Sequence, residues 1–165
     1  MKTIAPLGLL LLATAGAPAS AQALAAAGQD WAVRCSGDGP ARVCDAVQVI
    51  VDQQTKAEVV RVAVARQVST GRHGLQAKVP LGLRLDPGAM LKLGEKPADG
   101  IDGIVFNRCL ADGCYAEKPL TAAELGRLKE ARSLELVVVD LQGKPVVVKL
   151  STQGLRAALD RLSRS

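Results

Sequence analysis

The sequence predicts a mainly β protein: an antiparallel β-sandwich of immunoglobulin-like type with two short helices, one near residues 121–131 and one at the C-terminus. Three observations carry this prediction. Apolar and polar residues alternate with period two through several short runs, as half-buried strands require. Gly, Pro and Asp punctuate the chain at intervals suited to tight turns. No alternation of strand and helix patterns occurs, which removes a doubly wound parallel sheet.

The folded part opens at Asp30 and Trp31, after a flexible lead-in over 24–29, with Trp31 as the first core anchor. Residues 42–51 alternate, and so do 58–66 around Val60, Val62 and Val64, with Asp52-Gln53-Gln54-Thr55 joining them as a hairpin. Residues 69–74 form a glycine-flanked turn that leaves His73 exposed, and 75–85 is a further strand that Pro80 breaks or confines to an edge. Past the Asp86-Pro87-Gly88 turn come a short strand at 90–93, a loop through Gly94 and Asp99, and a strand at 101–106. Thr121 and Glu124 have the spacing of a capping box, opening a helix with Leu125 and Leu128 on its apolar side that ends near Arg132. Val-rich runs at 133–140 and 145–150 flank Leu141-Gln142-Gly143-Lys144, a hairpin signal. In 152–162, Leu155, Ala158, Leu159 and Leu162 recur at helical spacing. Seven or eight strands result, in a single domain over 30–165.

The first 23 residues read as an address. Lys2 precedes an apolar run through Leu7 and Leu9 to Leu12, too short for a membrane span, and small residues then provide cleavage sites after Ala21 or Ala23. Four cysteines follow in the exported part, where an oxidising compartment makes disulfides the default. Three pairings are formally open. The turn residues Gly37 to Pro40 and Asp112-Gly113 favour Cys35–Cys44 and Cys109–Cys114, each stapling a hairpin and each contributing roughly 2–3 kcal/mol. A redox-active pair at Cys109 and Cys114 is the alternative, disfavoured because four residues separate them and a turn, not a helix N-terminus, lies between. A zinc site would need all four thiolates in one place.

The chain has 165 residues with 21 Lys+Arg against 16 Asp+Glu, and 48% of them are hydrophobic, which removes disordered tails and highly charged arms. His73 is the single histidine, so triads and metal sites that need an imidazole fall away. The Gly37-Asp38-Gly39 run lacks the Lys-Ser/Thr of a phosphate loop. Asp99, Asp102 and Asp112 could supply a carboxylate pair for glycoside cleavage, but each lies in an Asp-Gly turn and reads as a solvated acid. Trp31, Phe106 and Tyr115 are the only aromatics, too few to stack single-stranded nucleic acid, and the dispersed basic residues suit at most a weak contact with an anionic envelope surface. No catalytic residue, cofactor or metal is expected. Loops held by disulfides are the natural recognition sites, which singles out Arg108, Asp112 and Tyr115 as candidate binding residues.

One ordered set of residues adds a family. Trp31-x-x-x-Cys35, Cys44, Val79-Pro80-Leu81-Gly82-Leu83, Ile101-Asp102, Phe106-x-x-Cys109 with Gly113-Cys114, Pro145-Val146, Ser151-x-x-Gly154 and Ala158-Leu159 together resemble the invasion-associated locus B family across residues 31–162. Leu155 stands where the family usually has an aromatic, and Val105 where it has a proline. The resemblance implies an exported envelope β-sandwich, periplasmic or at the outer surface, linked in some intracellular pathogens to host-cell entry and without catalytic activity. The expected function is a non-enzymatic binding module for an envelope or host-surface protein, serving invasion or envelope maintenance. The alternatives are a thiol-disulfide protein using Cys109 and Cys114, and a periplasmic inhibitor of a cell-wall hydrolase.

Overall fold

A computed structural model describes residues 30–96 and 99–165; the leader and lead-in expected over 1–29 lie outside them. In chain order the elements are β1 (Ala32–Ser36), β2 (Val43–Val51), β3 (Glu58–Gln67), β4 (His73–Val79), β5 (Leu83–Arg84), β6 (Ala89–Lys92), β7 (Ile101–Leu110), β8 (Gly113–Leu120), α1 (Ala122–Lys129), β9 (Leu134–Asp140), β10 (Pro145–Leu150) and α2 (Leu155–Ser163). The mainly antiparallel architecture with two helices is therefore the one that forms. The strands do not separate into two independently bonded sheets, as an immunoglobulin-type sandwich would. They join in one path, β1-β2-β3-β4-β8-β7-β6-β9-β10, with β5 added to β9, curled into a half-barrel.

The curl has a local cause in β7. Its start pairs with β6 through Leu91↔Ile101 and Ala89↔Ile104, whereas its second half pairs with β8 from Val105↔Glu117 to Leu110↔Gly113. Ile101 and Ile104 are both fully buried although three residues apart, which a regular period-two strand forbids. Gly103 resolves the conflict by adopting φ 65, a left-handed residue in mid-strand that bulges the chain and turns the rest of β7 toward β8. The Asp102-Gly103 pair, expected as a solvated turn, is thus a kink inside a strand. Pro119, with no N–H to give, falls just beyond the last β7–β8 pair, where β7 has already left.

Inside the curl, Val60, Val62 and Val64 of β3 meet Leu75, Ala77 and Val79 of β4, Ala116 of β8 and Leu134, Leu136 and Val138 of β9. Helix α2 packs over β1, β2 and β3, with Leu155, Ala158, Leu159 and Leu162 all buried at the spacing of one helical face. Burying side chains of this size stabilises by about 1.5–3 kcal/mol for each leucine, so α2 is held by its core face more than by its own length. Helix α1 begins with the expected capping box: the Thr121 hydroxyl accepts from the Glu124 N–H at 3.2 Å and the Glu124 carboxylate accepts from the Thr121 N–H at 2.8 Å. It ends at Lys129, earlier than expected, with Arg127 and Lys129 in the last turn where cations suit the dipole.

A short polar relay ties the start of the domain to its end. The Trp31 indole N–H donates to the Ser151 carbonyl at 2.7 Å, and the Ser151 N–H donates to the side-chain oxygen of Gln48 at 3.0 Å. Gln48 is 3% exposed, the single buried polar residue among the described ones, and the bond to Ser151 offsets its desolvation.

Two further differences from the sequence reading concern β1, β8 and His73. Strands β1 and β8 are complete, though neither shows a convincing alternation: β1 is short, and β8 carries small inward residues, Cys114 and Ala116, beside Lys118 and Pro119. His73 is not in an exposed turn. It opens β4 half-buried beside Arg66, and its Nε2 is shielded without a hydrogen-bond partner.

Burial, then the positive charges of Arg66 and Lys129, push the His73 pKa below its ordinary 6.5. The unfolded chain takes up that proton near pH 6.5 while the fold resists it, so stability is full above that value and falls as the pH drops through the lower folded value. Urea denaturation across this interval should show wild type losing stability relative to His73→Gln, and parallel pH profiles would refute the assignment. Gly113 has φ 141, and an added Cβ would stand 2.5 Å from the Val79 carbonyl oxygen, whereas Gly126 in α1 has nothing within 4 Å. Gly113→Ala should therefore cost about 2 kcal/mol. Gly126→Ala should gain about 0.5–1 kcal/mol, and thermal denaturation of the two variants checks both signs.

Candidate functional site

The convex face of β3, β4, β8 and β7 carries a row of long side chains directly opposite one another: Arg61↔Lys78↔Tyr115↔Arg108. Strand pairing puts them side by side, and the two-residue turn Ala111-Asp112 folds Asp112 back over the same row. The Tyr115 hydroxyl donates to Asp112 Oδ2 at 2.8 Å, and Lys78 Nζ lies 2.9 Å from that same oxygen. Lys78 also reaches Glu58 Oε1 at 3.3 Å, and Glu58 is clasped in turn by the Arg61 guanidinium, whose Nε donates to Oε1 at 3.0 Å. Across the tyrosine ring the Arg108 guanidinium sits 4.6 Å from the centroid, and it donates to Glu117 Oε1 at 3.0 Å. The three residues picked from the sequence, Arg108, Asp112 and Tyr115, are thus brought together.

The electrostatics follow from these contacts. Hydrogen bonds from Lys78 first and Tyr115 second hold the Asp112 carboxyl below the usual range, and the bond to Asp112 pushes the Tyr115 phenol up. The Asp112 carboxylate likewise raises Lys78, and the Arg61 guanidinium lowers Glu58. Glu58, Lys78 and Asp112 are thus held as fixed charges and Tyr115 as a neutral phenol that donates its hydrogen. The pairs open to solvent on at least one side, Lys78–Asp112 and Arg108–Glu117, contribute little stability individually, but the shared carboxylates order several side chains at once.

The Cys109–Cys114 disulfide lies directly behind this tip, at opposed positions of β7 and β8, and Cys35–Cys44 does the same for β1 and β2. All four sulfurs are on strands, none at a helix N-terminus, and Cys44 and Cys114 are buried in the core. Two of the three candidate aspartates are held far apart. Asp102 and Asp112 stand at opposite ends of β7, and among the described residues no cluster of three or more His, Cys, Asp or Glu side chains could hold a metal ion.

Sequence reasoning missed the surface beside the tip. Ala63, Ala65 and Gly74 leave the convex face low between the Arg34–Asp45 ion pair, at 3.0 Å, and the wall formed by Tyr115 and Glu117. Depressions of about 350, 300 and 140 Å³ meet there at Gln76. The signal was present in β3, where alanines occupy solvent-side positions that alternation normally gives to long polar residues.

Comparison with known proteins gives a consistent result. The family model of the invasion associated locus B (IalB) protein matches residues 31–163. Invasion protein B homologues of Brucella abortus strain 2308 and of Brucella abortus biovar 1 strain 9-941 are each 30% identical over 161 residues, covering 97% of this chain and 91% of theirs. The crystal structure of invasion associated protein b from Bartonella henselae superposes with a TM-score of 0.70 at 21% identity, covering 84% of this chain and 94% of that one. Matched from its first core residue to its last helix, the chain belongs to the invasion associated locus B (IalB) protein family.

Proposed function

We propose that this chain is an exported envelope protein that works as a non-enzymatic binding module, with Arg108, Asp112 and Tyr115 as its contact surface for an envelope or host-surface protein. The carrying observation is the fixed charge lattice around Asp112, in which Tyr115 and Lys78 share one carboxylate oxygen. An acid–base catalyst needs a group poised near the working pH. Here the carboxyl is lowered and the phenol raised, an arrangement suited to holding charge in place. Arg and Tyr are also the residues that dominate binding energy at protein interfaces, and a hairpin tip braced by a disulfide presents them with little ordering entropy left to lose.

Export is supported by the two disulfides, and no helix among the described residues is long and apolar enough to cross a membrane. The relatives from Brucella and Bartonella carry the word invasion in their names, and recognition of another surface is a role this face could fill in that setting.

The test is photo-crosslinking of the protein in its own envelope, with the probe in the 108–115 hairpin and mass spectrometry of what is captured. One dominant partner is expected, with capture falling roughly tenfold in Arg108→Ala and Asp112→Asn, both exposed and outside the core. Diffuse capture indifferent to both substitutions would overturn the reading, as would turnover of an envelope substrate that depends on Asp112.

A further inference from the structure

We propose that the face formed by α1 and α2 is a docking surface for the anionic phospholipid headgroups of a bilayer. Basic residues that look dispersed along the sequence gather here. Residues 121–133 and 152–165 hold six Lys and Arg against Glu124, Glu130 and Asp160, whereas the rest of the described chain holds fourteen Lys and Arg against thirteen acids. Glu124 is moreover taken by Lys118 of β8 at 3.1 Å. Two ion pairs join the helices into one surface, Lys129 to Asp160 at 2.8 Å and Arg156 to Glu130 at 3.1 Å.

The acids of this surface are outnumbered where they stand. The hydrogen bond from Lys129 first, and then the charges of Lys129, Arg156 and Arg164, lower the Asp160 carboxyl, so one carboxylate answers three cations. Arg132, Arg161 and Arg164 are exposed and make no ion pair among the described residues. Arg66 of β3 brings a further cation to the far end of α2, where it donates to the Ser165 carbonyl oxygen. The opposite side of the same sheet is balanced, because Arg34, Arg61, Lys78 and Arg108 are matched there by Asp45, Glu58, Asp112 and Glu117. This separation of charge turns the helices toward an anionic plane and the convex row of β3, β4, β8 and β7 away from it. The inference does not depend on that row having a partner.

The chemistry of the face favours lipid over protein. Among the described residues, none of the exposed large apolar side chains lies in α1, α2 or their flanks. An interface between folded proteins encloses a desolvated apolar centre, and this face offers none. Helix α2 cannot insert between lipids either, because Leu155, Ala158, Leu159 and Leu162 are already committed to the core. Charge without apolar surface is what a headgroup layer attracts, at a strength set by the number of cations brought within a Debye length of it.

Co-sedimentation with phosphatidylcholine vesicles, made with and without phosphatidylglycerol, is the test. The purified protein should pellet with the anionic vesicles alone and be released as sodium chloride rises. Arg161→Gln combined with Arg164→Gln should weaken binding about tenfold at low salt, with the circular dichroism spectrum unchanged. Lys56→Gln combined with Lys144→Gln removes the same charge from the β2–β3 and β9–β10 turns and should change binding less than about twofold. Equal weakening by the two double variants would reduce the effect to net charge and overturn the proposal. Binding to both kinds of vesicle overturns it, and so does binding to neither, which leaves the face to an acidic polypeptide. Inorganic phosphate should displace the protein no better than sodium chloride of equal ionic strength. Stronger displacement by phosphate overturns the proposal as well, since it marks a pocket for a single anion. The salt, neutral-vesicle and phosphate measurements use the unaltered chain and decide the matter if the arginine variant fails to fold.

Discussion

The bulge at Gly103 is the constraint on which the rest of the structure depends. Strand β7 must serve two neighbours that lie in different directions, and only a residue free to take φ 65 can turn it between them without losing the burial of Ile101 and Ile104. From that turn the sheet acquires its curl. The curl gives a concave side deep enough to receive α2, and a convex side on which β3, β4, β8 and β7 present their long charged residues. A flat sheet of the same strands would have no place for a helix four of whose side chains need burial.

Much of this was legible in the sequence, for reasons that differ from element to element. The strands β2, β3, β9 and β10 announce themselves because alternating or continuous valines leave no other economical burial, and α2 because its four apolar positions fit one face. The capping box at Thr121 and Glu124 marked the start of α1 correctly, since two reciprocal bonds are a local affair. The Cys109–Cys114 hairpin implied a strand after its turn, but the length of β8 stayed hidden because its inward residues are a cysteine and an alanine, small enough to look like loop, and its pairing is determined by β4 and β7 on either side. The joining of the strands into one curled path was equally out of reach. It hangs on Gly103, and an Asp-Gly pair reads as a turn until the burial of two isoleucines three residues apart is known.

The candidate site divides in the same way. Proximity of Arg108, Asp112 and Tyr115 follows from a short hairpin, so a single segment of sequence contained it. Lys78, Glu58 and Arg61 enter only through the register of β3, β4 and β8, and nothing in a linear reading ranks those three above the other charged residues of the chain. His73 was misplaced by its company: glycines on both sides suggested a turn, whereas the tertiary pairing with Arg66 and Leu120 recruits it as the first residue of a central strand.

The relay from Trp31 through Ser151 to Gln48 bears on how the chain reaches this state. The strands made first, β1 and β2, find the helix that covers their apolar side only when the last residues of the domain arrive, more than a hundred positions later along the chain. Contacts of such long sequence separation form slowly, because the intervening loop must be closed before they yield any return. A chain that emerges from its N-terminus onward therefore shows a valine-rich sheet to its surroundings for the whole of that interval, and shielding by a chaperone is the natural complement to this topology.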